Sequence, residues 1–367
     1  MPDSTLFSPI TLRDVTIANR ITVSPMCQYA ATEGVPGDWH LVHLGQFAQS
    51  GPGLIFVECT GVEPQGRITP GCTGLYDDAT EAAFARILQF MRSVGPARIG
   101  IQLGHAGRKG STVAPWEGGG YLEGTAAWIT ESASDVPYLQ GWPAVRAMDE
   151  TALERVKVAF VEAAQRADRA GFDVVEVHMA HGYLLHQFLS PITNRRADGY
   201  GGSSEARMRF PLEVFRAVRA AFPEEKPVLV RLSATDWIEG GWDLPQSTVL
   251  CQALKEAGCD MVDVSSGGLD QRQQIVTGPG YQVAFAETIR REAGVATMAV
   301  GQITDPVQAE TIVVTAQADM VALARGMLWD PRWTWRAALA LGEEIALPAA
   351  YARCNPALRS KPFVTRH

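Results

Sequence analysis

Eight times along this chain, a short and almost unbroken apolar run gives way to an amphipathic stretch with helical spacing. That alternation restricts the fold more than any other feature. The runs are 20–25, 53–61, 98–107, 172–180, 227–236, 260–268, 296–303 and 318–326. The helical stretches are 40–51, 80–95, 151–171, 203–223, 244–258, 282–293, 305–316 and 332–341. A strand with one wet face alternates apolar and polar residues. These runs do not alternate, as expected of parallel strands covered on both faces. Eight such units predict an α/β chain closed into a (β/α)8 TIM barrel. An open doubly wound sheet is the alternative, but no G-x-G-x-x-G follows any run. Residues 8–19 predict an N-terminal β-hairpin that floors the barrel. Residues 106–148, rich in Gly, Pro and Trp, are too long for an ordinary connection and predict an ordered lid. The chain reads as one barrel domain over 1–367, with a C-terminal tail over 345–367.

Charge and cysteine usage narrow the partners. The 32 Lys and Arg against 40 Asp and Glu give a net charge of −8. No basic stripe forms, so nucleic acid is not an expected partner. The six cysteines (27, 59, 72, 251, 259, 354) lie far apart without a C-x-x-C. Reduced thiols in a cytoplasm fit that pattern better than a disulfide framework or a zinc ribbon. The opening "MPDSTLFSPI" has neither the charged nor the apolar region of a signal peptide. No apolar run reaches the ~18 residues of a membrane span.

Barrel chemistry gathers at the C-terminal ends of the strands. Those ends carry Ser24, Pro25, Met26, Cys27 and Tyr29; Glu58 and Cys59; Gln102; His178, His181 and Tyr183; Arg231; Gly301; and Ala324 and Arg325. Cys27 reads as a small buried hydrophobe or as a functional thiol. Gln102 reads as a backbone partner or a ligand contact. Arg231 needs compensation inside an apolar strand, from Glu176, another strand carboxylate or an anionic ligand. Glycines after the seventh and eighth strands are where barrels hold phosphate, and Arg325 beside them favours that reading of Gly301. The pair His178 and His181 has three readings: core histidines, metal ligands of a barrel hydrolase, or paired donors for a substrate oxygen. Tyr183, protonated at neutral pH, can then deliver a proton.

Taken together, "SPMCQY" (24–29), "GRIT" (66–69), "IQLGHAGRK" (101–109), "EVHMAHGYLLHQFLSPITNRRADGYGGS" (176–203), "VRLSATDW" (230–237) and "ARGMLWDP" (324–331) resemble the old yellow enzyme family of flavin-dependent ene-reductases. The similarity is greatest to its YqjM-like, or thermophilic-like, bacterial branch. The resemblance runs from about residue 6 to residue 353 and implies a barrel holding FMN non-covalently, with NADPH or NADH as reductant. It implies that Ser24, Pro25, Met26, Cys27 and Cys59 line the flavin ring. Gln102 would bind its pyrimidine side, and Arg231 would stabilise the reduced ring. Gly301, Ala324 and Arg325 would hold the phosphate. His178 and His181 would grip the activating oxygen of an enone, enal, maleimide or nitroalkene. Tyr183 would protonate the α-carbon, and Tyr29 would wall the pocket. Arg353 would reach the site of a neighbouring subunit in a homodimer or homotetramer. Three positions depart from the family pattern: Cys59, Ala324 before the phosphate arginine, and Ala206 after "YGGS". Space-filling is the expected role of Cys59.

Overall fold

A computed structural model describes residues 4–354 of the chain. The hairpin comes first, β1 (Ile10–Leu12) pairing antiparallel with β2 (Val15–Ile17). Three barrel strands follow: β3 (Ile21–Val23), β4 (Leu54–Gly61) and β5 (Arg98–Gly104). A small parallel pair, β6 (Glu131–Ser132) and β7 (Arg146–Ala147), lies within the 106–148 excursion. The remaining barrel strands are β8 (Val174–Met179), β9 (Val228–Ser233), β10 (Met261–Ser265), β11 (Thr297–Ala299) and β12 (Met320–Leu323). The eight barrel strands are in sequence order around a closed ring, and β12 pairs parallel with β3 to close it.

Eight helices form the outer layer, at the expected places: α1 (Asp38–Ala48), α2 (Asp78–Val94), α3 (Glu150–Ala170), α5 (Ser204–Ala221), α6 (Leu244–Glu256), α7 (Val283–Ala293), α8 (Pro306–Val314) and α10 (Trp333–Leu341). Two short helices sit directly at strand ends, α4 (Leu184–Leu189) and α9 (Arg325–Trp329). Local chemistry sets the boundaries. Asp77, Asp149, Ser203, Asp243 and Asp305 each accept a backbone N–H as N-cap. Such a cap contributes ~1 kcal/mol. The 318–326 run is shorter as a strand than its composition predicts. It ends at Leu323, and Arg325 and Gly326 belong to α9 instead.

Two cores divide the barrel. Leu12, Val15 and Ile17 of the hairpin pack on Leu54, Phe56, Val174, Leu229, Met261, Met298 and Met320. The floor is therefore dry, and only the upper half of the interior can host polar chemistry. The larger core lies between strands and helices, where Phe160, Val175, Val230 and Leu250 are buried.

One irregularity matters for the site. Val57 pairs with Ile101, but Cys59 pairs with Gln102, so Glu58 is an extra residue in β4. Simple alternation from Phe56 would aim Glu58 into the barrel and Cys59 out. The bulge reverses both. Glu58 turns toward α1, where its Oε1 lies 3.1 Å from His40 Nε2, and Cys59 enters the interior beside Gln102.

The excursion is ordered at its base. Gln187 of α4 accepts from the Arg108 N–H (3.2 Å) and Ser132 Oγ (2.8 Å), and donates to Ala106 O (3.1 Å) and Gly182 O (2.7 Å). One amide thus ties the excursion to the histidine turn.

Candidate active site

The register places the inward side chains in lateral rows. Gln102 lies beside Glu176, and His178 beside Arg231, which lies beside Asp263. Gln102 Nε2 donates to Glu176 Oε1 at 2.7 Å. Arg231 Nε lies 3.1 Å from Asp263 Oδ2, outside hydrogen-bond alignment. The compensating carboxylate closest to Arg231 is therefore Asp263, with the Glu176 carboxyl a second acidic group on the next strand. Burial pushes Glu176 up to about 8, with Asp263 adding to the rise and Arg231 opposing it. Asp263 is also raised by burial.

Linkage makes this testable. A carboxyl raised in the folded chain stabilises fully below its unfolded value, and that stability is lost as pH rises through the folded one. For Glu176 the window runs from the ordinary carboxylate range up to about 8. Glu176→Gln keeps a partner for Gln102 and cannot ionise. Its melting temperature should fall less than that of the wild type between pH 6 and pH 9. Equal falls would contradict the assignment.

The two histidines arise from one sharp turn after β8. His181 adopts φ +58 and Gly182 φ +72, which swings Tyr183 back over His178. The His178 ring stands 5.2 Å from that of His181 and 5.2 Å from that of Tyr183, edge-on to both. The His181 N–H donates to Ser233 Oγ (2.9 Å), and its Nε2 lies 2.7 Å from Ser265 Oγ. His178 Nδ1 is buried without a partner. Burial, then Arg231, hold both imidazoles well below their usual range, so both are neutral. Burial raises Tyr183 well above the ordinary phenol, and it stays protonated. Cys27 is raised likewise, by burial and then by Cys72 and Glu58, and remains a thiol.

Beneath the turn sits a residue the sequence reading passed over. His186 Nδ1 accepts from the Gly182 N–H at 2.9 Å, and its Nε2 lies 2.9 Å from Asp236 Oδ1. Asp236 Oδ2 accepts from Ser190 Oγ and the Trp242 N–H. This fully buried pair fixes the turn from below.

Cys59 has a defined space. A Cβ added at Gly104 would come within 2.5 Å of Cys59 Sγ and 3.5 Å of His178 Cβ. The missing side chain at Gly104 is what admits the thiol. Gly104→Ala is expected to destabilise by about 1–3 kcal/mol. Adding Cys59→Ala should recover part of it, with a coupling of about 0.5–3 kcal/mol in denaturant melts. Strict additivity would contradict the contact.

The other positions are as follows. Tyr29 (φ +53) stands edge-on to Trp116 of the excursion at 5.6 Å. Gly301 has φ +130, accessible mainly to glycine. Ala324 caps α9 at φ −104, outside the left-handed region, so its φ does not call for glycine. Ala206 donates its N–H to Ser203 Oγ at 3.3 Å, so its departure leaves the α5 cap intact. Arg353 is exposed in a short 3-10 segment, Ala349–Cys354. Residues 355–367 of the tail lie outside the described residues.

The polar atoms at this mouth fit a ligand rich in donors and acceptors, as the flavin implied by the resemblance is. Buried Ser24 Oγ, Glu176 Oε2, His178 Nδ1, Arg231 Nε and both Asp263 oxygens have no hydrogen-bond partner within the chain. An orphaned buried polar atom costs about 1–3 kcal/mol, and a group of them, most on the neighbouring strands β8, β9 and β10, points to a ligand that satisfies them. Among the described residues, no three His, Cys, Asp or Glu side chains are grouped to hold a metal. No described helix is long and apolar enough to cross a membrane.

Comparison with known proteins gives the same answer. The model of the NADH:flavin oxidoreductase / NADH oxidase family matches residues 5–344. An NADPH dehydrogenase of Geobacillus thermodenitrificans is 42% identical, over 96% of this chain and 98% of its own. The NADPH dehydrogenase of Bacillus subtilis is 42% identical, over 95% and 98%. The solved structure of morphinone reductase superposes with a TM-score of 0.76 at 30% identity, covering 94% of this chain and 91% of that one. Barrel and mouth define a class: an FMN-dependent oxidoreductase that takes its electrons from a nicotinamide nucleotide. Within that class the chain belongs to the old yellow enzyme family, on its YqjM-like bacterial side.

Proposed function

We propose that this protein is an ene-reductase acting on alkenes activated by a carbonyl or nitro group. The observation that carries the reading is the convergence of two neutral imidazoles and a protonated phenol above a row of unpartnered polar groups. The chemistry FMN supplies when bound is hydride transfer, in from NAD(P)H and out to the alkene β-carbon. Ser24, Pro25, Met26, Cys27 and Cys59 would line its ring. Gln102 and Arg231 would bind its pyrimidine side, where the guanidinium would favour negative charge. Gly301, Ala324 and Arg325 would hold its phosphate.

His178 and His181 donate to the activating oxygen and hold the charge that builds there as the β-carbon is reduced. Ser265 Oγ, held to His181 Nε2, can donate to it and so leave Nδ1–H free to face substrate. Tyr183 delivers its proton to the α-carbon. The Cys27 thiol is a hydrogen-bond donor at the flavin edge rather than a nucleophile. Tyr29 and the excursion close over the pocket as a lid, and Arg353 enters the site of a neighbouring subunit in a homo-oligomer. Six free thiols favour a reducing cytoplasm.

The test is anaerobic NADPH oxidation. It should require 2-cyclohexenone and yield cyclohexanone in equal amount. Oxidation of NADPH without alkene reduction, across enones, maleimides and nitroalkenes alike, would refute this substrate class.

A further inference from the structure

We propose that Lys109 is a positioning residue for alkene reduction: its buried ammonium pins the His181–Gly182–Tyr183 turn to the loop after β10 and holds a positive charge beside the proton donor. The inference rests on the reading of that turn as the reducing site.

Lys109 ends a single turn at the base of the excursion, Gly107–Lys109. Its Nζ donates to His181 O and to Gly268 O, both at 2.8 Å. It also sits 5.1 Å from the Tyr183 ring and 5.0 Å from the Tyr138 ring. A buried cation ordinarily needs a carboxylate. Here two carbonyls and two aromatic faces replace it.

The two loops it joins touch backbone to backbone. A Cβ on Gly268 would lie 2.6 Å from His181 Cα, and one on Gly182 would lie 2.4 Å from Gly268 O. Two carbonyls this close, both turned to one side, need a shared donor. Lys109 supplies it, and so fixes the left-handed His181 backbone from which the imidazole projects. Three loops, after β5, β8 and β10, meet at one ammonium.

The charge has a second effect. The groups facing Lys109 are Arg108, Tyr138, Tyr183, His178 and His181. None is an anion at neutral pH, so the ammonium adds to the field of Arg231 and favours an enolate at the histidine pair. Burial, with Arg108 beside it, brings the lysine down to about 7. The positive charge is thus present below that pH and lost above it.

The test uses full-length, FMN-loaded wild type, Lys109→Met and Lys109→Arg. Pentafluorophenolate, ionised from about pH 6 to pH 9, serves as the enolate mimic, and the two half-reactions are followed separately. At pH 6, Lys109→Met should bind the phenolate about tenfold more weakly and reduce 2-cyclohexenone about tenfold more slowly, with flavin reduction by NADPH nearly unchanged. Wild-type phenolate affinity should weaken as pH rises through about 7. That dependence should vanish in Lys109→Met and, because arginine stays charged, in Lys109→Arg. A folded, flavin-loaded Lys109→Met with wild-type affinity, or either variant with the wild-type pH profile, would overturn the proposal. Should Lys109→Met not fold, the profile of Lys109→Arg decides alone. A wild type that neither binds the phenolate nor reduces the enone would instead refute the ene-reductase reading.

Discussion

Tyr183→Phe is expected to slow alkene reduction by about 10²–10⁴-fold while leaving flavin reduction by NADPH within about threefold. The asymmetry follows from chemistry. Hydride entry moves no proton through the phenol, whereas completing the alkane requires one at the α-carbon. In the proposed mechanism Tyr183 gives it; its ring stands 5.2 Å from that of His178, and burial raises its pKa. Removing one oxygen leaves the ring packed against His178, so the fold should be preserved. Separate anaerobic measurement of the half-reactions checks this. Equal slowing of both would remove Tyr183 from the role of proton donor.

His178→Ala and His181→Ala carry the second large effect. Each should lower the alkene half-reaction by about 10²–10³-fold, the scale for loss of one oxyanion donor. Each should also weaken phenolate binding, because the phenolate oxygen stands in for the enolate. The two losses should not multiply, since one imidazole alone cannot define the oxygen position. His178 is the more informative of the pair. Its Nδ1 has no partner within the chain, so its truncation breaks no hydrogen bond of that atom. His181 also holds Ser265, and its loss mixes a binding effect with a packing one. Unchanged phenolate affinity in both variants would contradict the grip on the oxygen.

The sequence carried the architecture because parallel strands covered on both faces must be apolar along their length. Eight such runs leave few alternatives to a closed ring. The floor hairpin was legible for the same reason, its apolar residues having nowhere else to go. Register between neighbouring strands was not legible. Asp263 is the carboxylate beside Arg231, 32 residues further on, and only the β9–β10 register sets it there. Nor could alternation reveal Glu58 as an extra residue, because a bulge changes which face a side chain takes without changing composition. Of the three histidines in "HMAHGYLLH", two meet at the mouth and His186 faces down to Asp236. Spacing alone does not separate a pin from a donor. Lys109 was hidden differently, since a lone lysine in a Gly-rich excursion reads as solvated until the carbonyls it joins are seen.

The most direct test of the account is a spectral cycle on the purified protein without oxygen. The protein should be yellow, should bleach on one equivalent of NADPH, and should regain its colour on one equivalent of 2-cyclohexenone. A colourless protein that takes up no FMN, or bleached flavin that the enone leaves untouched, would contradict it.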